Sequence, residues 1–201
     1  VQCSRRNFNA LVHIFGEDNV ISYPVDRKGD RSFFRQVLNH FLELGFGGLD
    51  RSDKENVIKL IESEKINYVH IDTSSFGSLA KYIYENTTDV KIITFFHNVE
   101  YDFFKSPLPL SLKGILMSYR LPLIKLAEIY SLKYSNINIS LHKKDSSRLR
   151  QLYGKNADCQ IPITLNDSLV VIETKKTYGN KLRLLFVGAK FKPNLDAVDI
   201  L

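Results

Sequence analysis

The chain has 201 residues, 44% hydrophobic and 25% charged, ordinary values for a globular protein and enough for one full α/β domain with a sizeable core. No apolar run is long enough to span a bilayer, and no signal-peptide pattern opens the chain. Cys3 and Cys159 stand far apart, form no metal-ligand pair and fit a reducing, cytoplasmic setting.

In chain order, a helix is predicted over 4–15, where Phe8, Leu11, Val12 and Phe15 fall on one face and Gly16 ends the run. The β-rich segment 20–25, closed by Pro24, predicts a short strand. Residues 31–44 predict a second amphipathic helix with Phe34, Val37, Leu38, Phe41 and Leu42 inward, broken by Gly45, Gly47 and Gly48. A third helix is expected over 52–65, with Ser52 as N-cap and Glu55 three residues on, the capping-box pattern. Residues 68–72 predict a buried strand, 76–85 a helix, and 90–96 a near-continuous apolar strand of the kind covered on both faces. A long helical region over 112–134 is expected to divide near Pro122. Strand 137–141, helix 144–153 ended by Gly154, and short strand 159–163 follow. Residues 164–181 are polar and read as a linker. The apolar segment 182–187 opens a new strand before Gly188.

Strands alternating with helices predict a Rossmann-like, doubly wound parallel sheet. The expected organisation is one domain over 1–163, a linker over 164–181 and the start of a second α/β domain over 182–201. The sequence has no initiator Met, opens on a helical pattern and stops inside another, so both ends are expected to be cut.

Between Ser111 and Lys155 nine basic residues face only Glu128 and Asp145, an excess of seven against a net charge of +6 for the whole chain. Such a stretch suggests an anionic partner, or a solvated lysine-rich face. Ligands of parallel sheets bind beyond the strands' carboxyl ends, so 72–75, 97–101, 142–146 and 188–193 are the candidate stretches. His97, Asn98 and Glu100 can meet a sugar or phosphate; equally, Asn98 can cap the next helix and His97 can be a structural histidine. Arg5 and Arg6 stand at a helix start, where either can meet a phosphate or a partner; equally, they can be ordinary surface arginines. Lys144 stands at another helix start, a ready anion site, or else a solvated lysine beside a helix capped by Asp145 or Ser146. GxGxxG, Walker A, GxSxG and HExxH patterns are absent from the sequence.

Taken in order, these residues resemble the retaining glycosyltransferases of family four, group one, which have the two-domain GT-B architecture. The resemblance rests on Ser4-Arg5-Arg6-Asn7, on Thr94-Phe95-Phe96-His97-Asn98-Val99-Glu100-Tyr101, and on Leu126-Ala127-Glu128 shortly before Ile137-Asn138-Ile139-Ser140. It continues through Lys144-Asp145-Ser146 to Tyr153-Gly154, Ile161-Pro162-Ile163, Leu184-Leu185-Phe186-Val187-Gly188 and Phe191-Lys192-Pro193-Asn194. It implies an acceptor-side N-terminal domain and transfer from a nucleotide-sugar donor to a glycan or lipid-linked acceptor, with retention and without metal or other cofactor. It implies that His97 approaches the donor sugar, that Arg5 and Arg6 lie near the donor diphosphate, and that Lys190 or Lys192 serves the donor phosphate; Asn98, Glu100 and Lys144 are the further candidates for substrate binding. Peripheral contact with an anionic membrane at its cytoplasmic face would use the basic stretch; nucleic acid is not expected as a partner. The chain departs from the family pattern at Ala189, where arginine is usual. The family's glycine-rich loop and first strand would precede Val1, and its late acidic motif would follow Leu201, so the piece alone is expected to be inactive. The competing expectation is a non-catalytic α/β domain that binds an anionic partner such as nucleic acid.

Overall fold

The computed structural model describes residues 2–23, 49–105 and 118–162, with side chains from Asn7 onward. The chain divides into two compact units, Val1–Thr164 and Leu165–Leu201. Only the first contains described residues. The helix expected over 31–44, the linker and the strand over 182–187 lie outside them.

Helix α1 (Gln2–Phe15) turns Phe8, Leu11 and Val12 partly inward, and Gly16 ends it with φ of 87° while its amide bonds the Val12 carbonyl. Phe15, expected on the inward face, is exposed. The described part of the strand predicted over 20–25 is not a strand: a 3-10 turn (Glu17–Asn19) leads into extended chain with no sheet partner. Helix α2 (Arg51–Ser63) starts one residue earlier than expected, because Asp50 and Asp53, not Ser52 and Glu55, form the capping box. Each aspartate carboxylate accepts the other's backbone amide, at 3.0 and 3.1 Å.

Strand β1 (Tyr68–Ile71), a 3-10 turn (Ser74–Phe76), α3 (Gly77–Asn86), β2 (Lys91–Phe96), α4 (Glu100–Lys105), α5 (Arg120–Tyr134), β3 (Ile137–Ser140), α6 (Lys143–Tyr153) and β4 (Cys159–Gln160) complete the described fold. All three strand pairs are parallel, and the sheet order is β1-β2-β3-β4. The fold is thus α/β with a four-stranded parallel sheet. The described strands follow chain order, so the order reversal that defines a doubly wound sheet is not among them. Pro122 sits in the first turn of α5, where a missing amide costs no intrahelical bond.

The expected buried strand 68–72 needs correction. β1 ends the described sheet, and only Ile71 is buried in it; Tyr68 is 69% exposed. β2 has neighbours on both sides, yet its burial alternates: Ile92, Thr94 and Phe96 are enclosed, Ile93 and Phe95 half-buried. Two apolar clusters form the core. One joins Leu49, Val57, Ile61, Ile71, Leu79, Ala80, Ile83 and Ile92 beneath α2 and α3. The other joins Phe96, Val99, Leu132, Leu149 and Ala157 where β2, α5 and α6 meet. The second cluster anchors the loop that leaves β2, and so it positions the site.

Candidate functional site

Strands β1 and β2 lie side by side in parallel, so the residues just beyond their carboxyl ends, Asp72 and His97, stand together. The Nε2 of His97 is 2.9 Å from the Asp72 carbonyl oxygen and 3.3 Å from its Oδ1. Both are acceptors, so Nε2 carries the hydrogen and donates. Asn7 Nδ2, from α1, donates to the same Oδ1 at 2.8 Å. The Phe95 ring packs tilted against the imidazole, centroids 4.8 Å apart. With Nε2 committed, His97 presents Nδ1, which has no hydrogen-bond partner among the described residues. Neutral His97 offers a lone pair there and protonated His97 an N–H.

The electrostatics favour the protonated form. The hydrogen bond to Asp72 raises the His97 pKa, partial burial opposes it, and the Asp72 and Glu100 charges add to the rise. For Asp72 burial is the largest influence and acts upward. The bonds from His97 and Asn7 and the nearby histidine charges outweigh it and leave the pKa below the usual value. His70, on β1, is pushed down by burial. Replacing Asp72 with asparagine removes the charge and the main donor-acceptor asymmetry. The midpoint of His97 ring-proton titration, followed by NMR, is expected to fall in Asp72→Asn; an unmoved midpoint would show that Asp72 is not the source of the shift.

Beyond His97 the chain enters α4, and its start is held from another helix. Glu128, fully enclosed on α5, accepts the Glu100 amide on Oε1 at 2.7 Å and the Tyr101 amide on Oε2 at 3.3 Å. The Tyr153 hydroxyl of α6 donates to Oε2 at 2.5 Å. Burial drives the Glu128 pKa up to about 7 against these three donors. Burial and the Glu128 charge raise that of Tyr153.

An open cleft of about 670 Å³ lies between the start of α4 and the start of α6. Asn98, Asp102 and Phe103 line one wall; Lys144, Arg148 and Gln151 line the other. Asp102 and Arg148 pair two-pronged, at 2.6 and 3.0 Å. That pairing holds the Asp102 pKa below the usual carboxylate range.

Of the residues singled out in the sequence, Asn98 and Lys144 share this cleft. His97 is not in its lining; it belongs to the adjoining Asp72 and Asn7 cluster. Glu100 begins α4 and contributes its amide to the Glu128 clamp. Arg5 and Arg6 fall on α1, but their side chains, like Lys190 and Lys192, lie outside the described residues. The basic stretch is partly consumed within the fold. Arg148 pairs with Asp102, Lys155 donates to the Leu132 carbonyl at 2.6 Å, and Lys125 lies 4.4 Å from the Tyr101 ring centre.

Sequence reasoning gave Asn7, Asp72, Glu128 and Tyr153 no individual role. Glu128 carried a signal: it stands four residues from both Ile124 and Leu132, on the buried stripe of its helix, where a carboxylate needs partners. Among the described residues no group of three or more His, Cys, Asp or Glu is placed to hold a metal ion, and no helix is long and apolar enough to cross a membrane. Compared with protein-family models and with curated proteins, the chain matches none.

Proposed function

We propose that the described unit is the acceptor-side domain of a retaining nucleotide-sugar glycosyltransferase of GT-B architecture, which builds cell-surface polysaccharide at the cytoplasmic face of the membrane. The observation that carries this reading is His97. It stands beyond the carboxyl end of an interior strand of a parallel sheet, Asp72 holds its Nε2, and Nδ1 is left for a ligand. A protonated imidazole so held can stabilise negative charge developing on a departing diphosphate without reorganising during the reaction.

The neighbouring cleft suits the acceptor. Its charged lining is balanced, Lys144 and Arg148 against Asp102 and Asp145, and Asn98, Ser147 and Gln151 add neutral hydrogen-bonding groups. Phe103 contributes an aromatic face. That set fits a hydroxyl-rich sugar better than a free diphosphate. The nucleotide sugar is a co-substrate, and the reading assigns no metal or other cofactor. Contact with an anionic membrane remains part of the proposal, through lysines and arginines of the basic stretch that the fold leaves exposed, such as Lys143 and Arg150.

Nucleotide-sugar hydrolysis by the protein of the complete reading frame tests this. His97→Ala is expected to lower the rate about 100-fold or more, the usual loss when a preorganised charge-stabilising donor is removed. Unchanged hydrolysis would remove His97 from the mechanism.

A further inference from the structure

Glu128 is the only buried carboxylate among the described residues, and it lies on none of the surfaces that line the cleft. Its partners define what it does. Helix α4 has six residues, too few to hold itself by its own hydrogen bonds. The first amides of any helix lack an intrahelical acceptor. Here two of them, from Glu100 and Tyr101, are bound by the two oxygens of one carboxylate from α5. Tyr153, from α6, fixes the rotation of that carboxylate. The loop between β2 and α4 is only three residues, His97, Asn98 and Val99. It is tied at one end by Phe96 and at the other by Val99, both in the core, and the Val99 carbonyl accepts the Phe103 amide at 3.1 Å.

We propose that Glu128 is a positioning residue: by gripping the first two amides of α4 it fixes the 97–99 loop, and with it the direction of His97 Nδ1 and the place of Asn98 in the cleft. Its link to sugar chemistry rests on the glycosyltransferase reading; its link to the loop does not. The carboxylate form accepts all three donors. In the acid form one oxygen carries a proton, the Tyr153 hydroxyl must turn to accept, and the Tyr101 amide loses most, since it shares that oxygen. The ionisable groups recorded around Glu128 are Glu100 and Tyr101 of α4 and Tyr153 of α6. The start of α3 meets the same stretch of α5 through Gly77, which does not titrate.

The test is amide NMR of the protein of the complete reading frame across the neutral pH range, in wild type, Glu128→Gln and Tyr153→Phe, alongside nucleotide-sugar hydrolysis by the same proteins. In wild type the Glu100 and Tyr101 amides are expected to titrate together with a midpoint near 7. In Tyr153→Phe, which keeps both amide bonds, that midpoint moves upward, because the carboxylate has lost a donor. In Glu128→Gln the titration vanishes and the amides of His97, Asn98 and Val99 shift while the β-strand amides stay; the rate constant for hydrolysis falls with little change in KM. Unmoved 97–99 amides in Glu128→Gln, or a titration that persists in it, overturns the proposal. Should Glu128→Gln not fold, an unmoved midpoint in Tyr153→Phe overturns it equally. Loop shifts as described, with no hydrolysis by any of the proteins, uphold the positioning role and count against the glycosyltransferase reading alone.

Discussion

Replacing Gly77 with alanine is expected to destabilise the fold by about 3 kcal/mol or more, the upper end for forcing extra volume into a packed interior. The reason is close approach, not backbone strain, since Gly77 has ordinary helical angles, φ −57° and ψ −31°. A Cβ there would stand 1.8 Å from the Ala127 carbonyl oxygen, 2.7 Å from its carbon and 2.9 Å from the Ser131 nitrogen. All three are backbone atoms of α5, which cannot swing aside as a side chain does. The 3-10 turn just before α3 is also tied to α5, by the Ser131 hydroxyl, which donates to the Ser74 carbonyl at 3.0 Å. Relief requires α3 and α5 to part, and α5 carries Glu128. Urea unfolding measures the loss. A Gly77→Ala midpoint within error of wild type would mean that the helices do not approach as described.

The second large effect is on pH. A carboxyl whose folded pKa is raised favours folding while it is protonated, and it loses that contribution as pH rises through the folded value. Glu128 rises from 4.5 to about 7. Stability is therefore expected to fall by roughly 2 to 3 kcal/mol between about pH 5 and about pH 8, from a shift of this size at 1.36 kcal/mol per unit. His97 adds to the same trend. His97, its pKa raised, stabilises the fold when protonated and loses this as pH rises through its folded value. Asp72, its pKa lowered, gives way only in acid, as pH falls through its folded value. Denaturant midpoints taken across this range check the slope. Glu128→Gln should flatten most of it. A wild-type profile that is level or climbs toward pH 8 would contradict the account of Glu128.

The parts of this fold that local pattern decides were legible in the sequence. The apolar run that becomes β2 and the helix stopped by Gly154, with φ of 77°, depend on neighbours within a few residues. Other parts turn on choices that sequence spacing leaves level. Asp50 with Asp53 and Ser52 with Glu55 both have capping-box spacing, and the structure uses the first. Residues 20–23 have strand-like composition but pair with no strand among the described residues, and β propensity without a partner makes no strand. Burial of 68–72 depended on where β1 falls in the sheet, which composition does not encode.

The site divides in the same way. His97 and Asn98 were placed by the rule that ligands gather beyond strand ends, and Lys144 by its helix start. Their partners were not accessible to spacing arguments. Asn7 reaches Asp72 across 65 residues, Asp72 meets His97 across 25, and Glu128 holds Glu100 across 28. Such contacts are created by the parallel sheet and its helical crossovers, and no local period marks them. The basic stretch is the converse case. Its charge count was plain, but Arg148 is paired with Asp102 and Lys155 with the Leu132 carbonyl, so part of that charge is engaged within the fold although it stays at the surface.

The most direct test of the central claim is the anomeric proton signal of the sugar formed from a nucleotide-sugar donor, recorded by NMR with the protein of the complete reading frame and with its His97→Ala form. Wild type is expected to release or transfer a sugar with the donor's anomeric configuration retained, and the signal is expected to grow at least about 100-fold more slowly in His97→Ala. A product of inverted configuration, or equal rates in the two proteins, would contradict it.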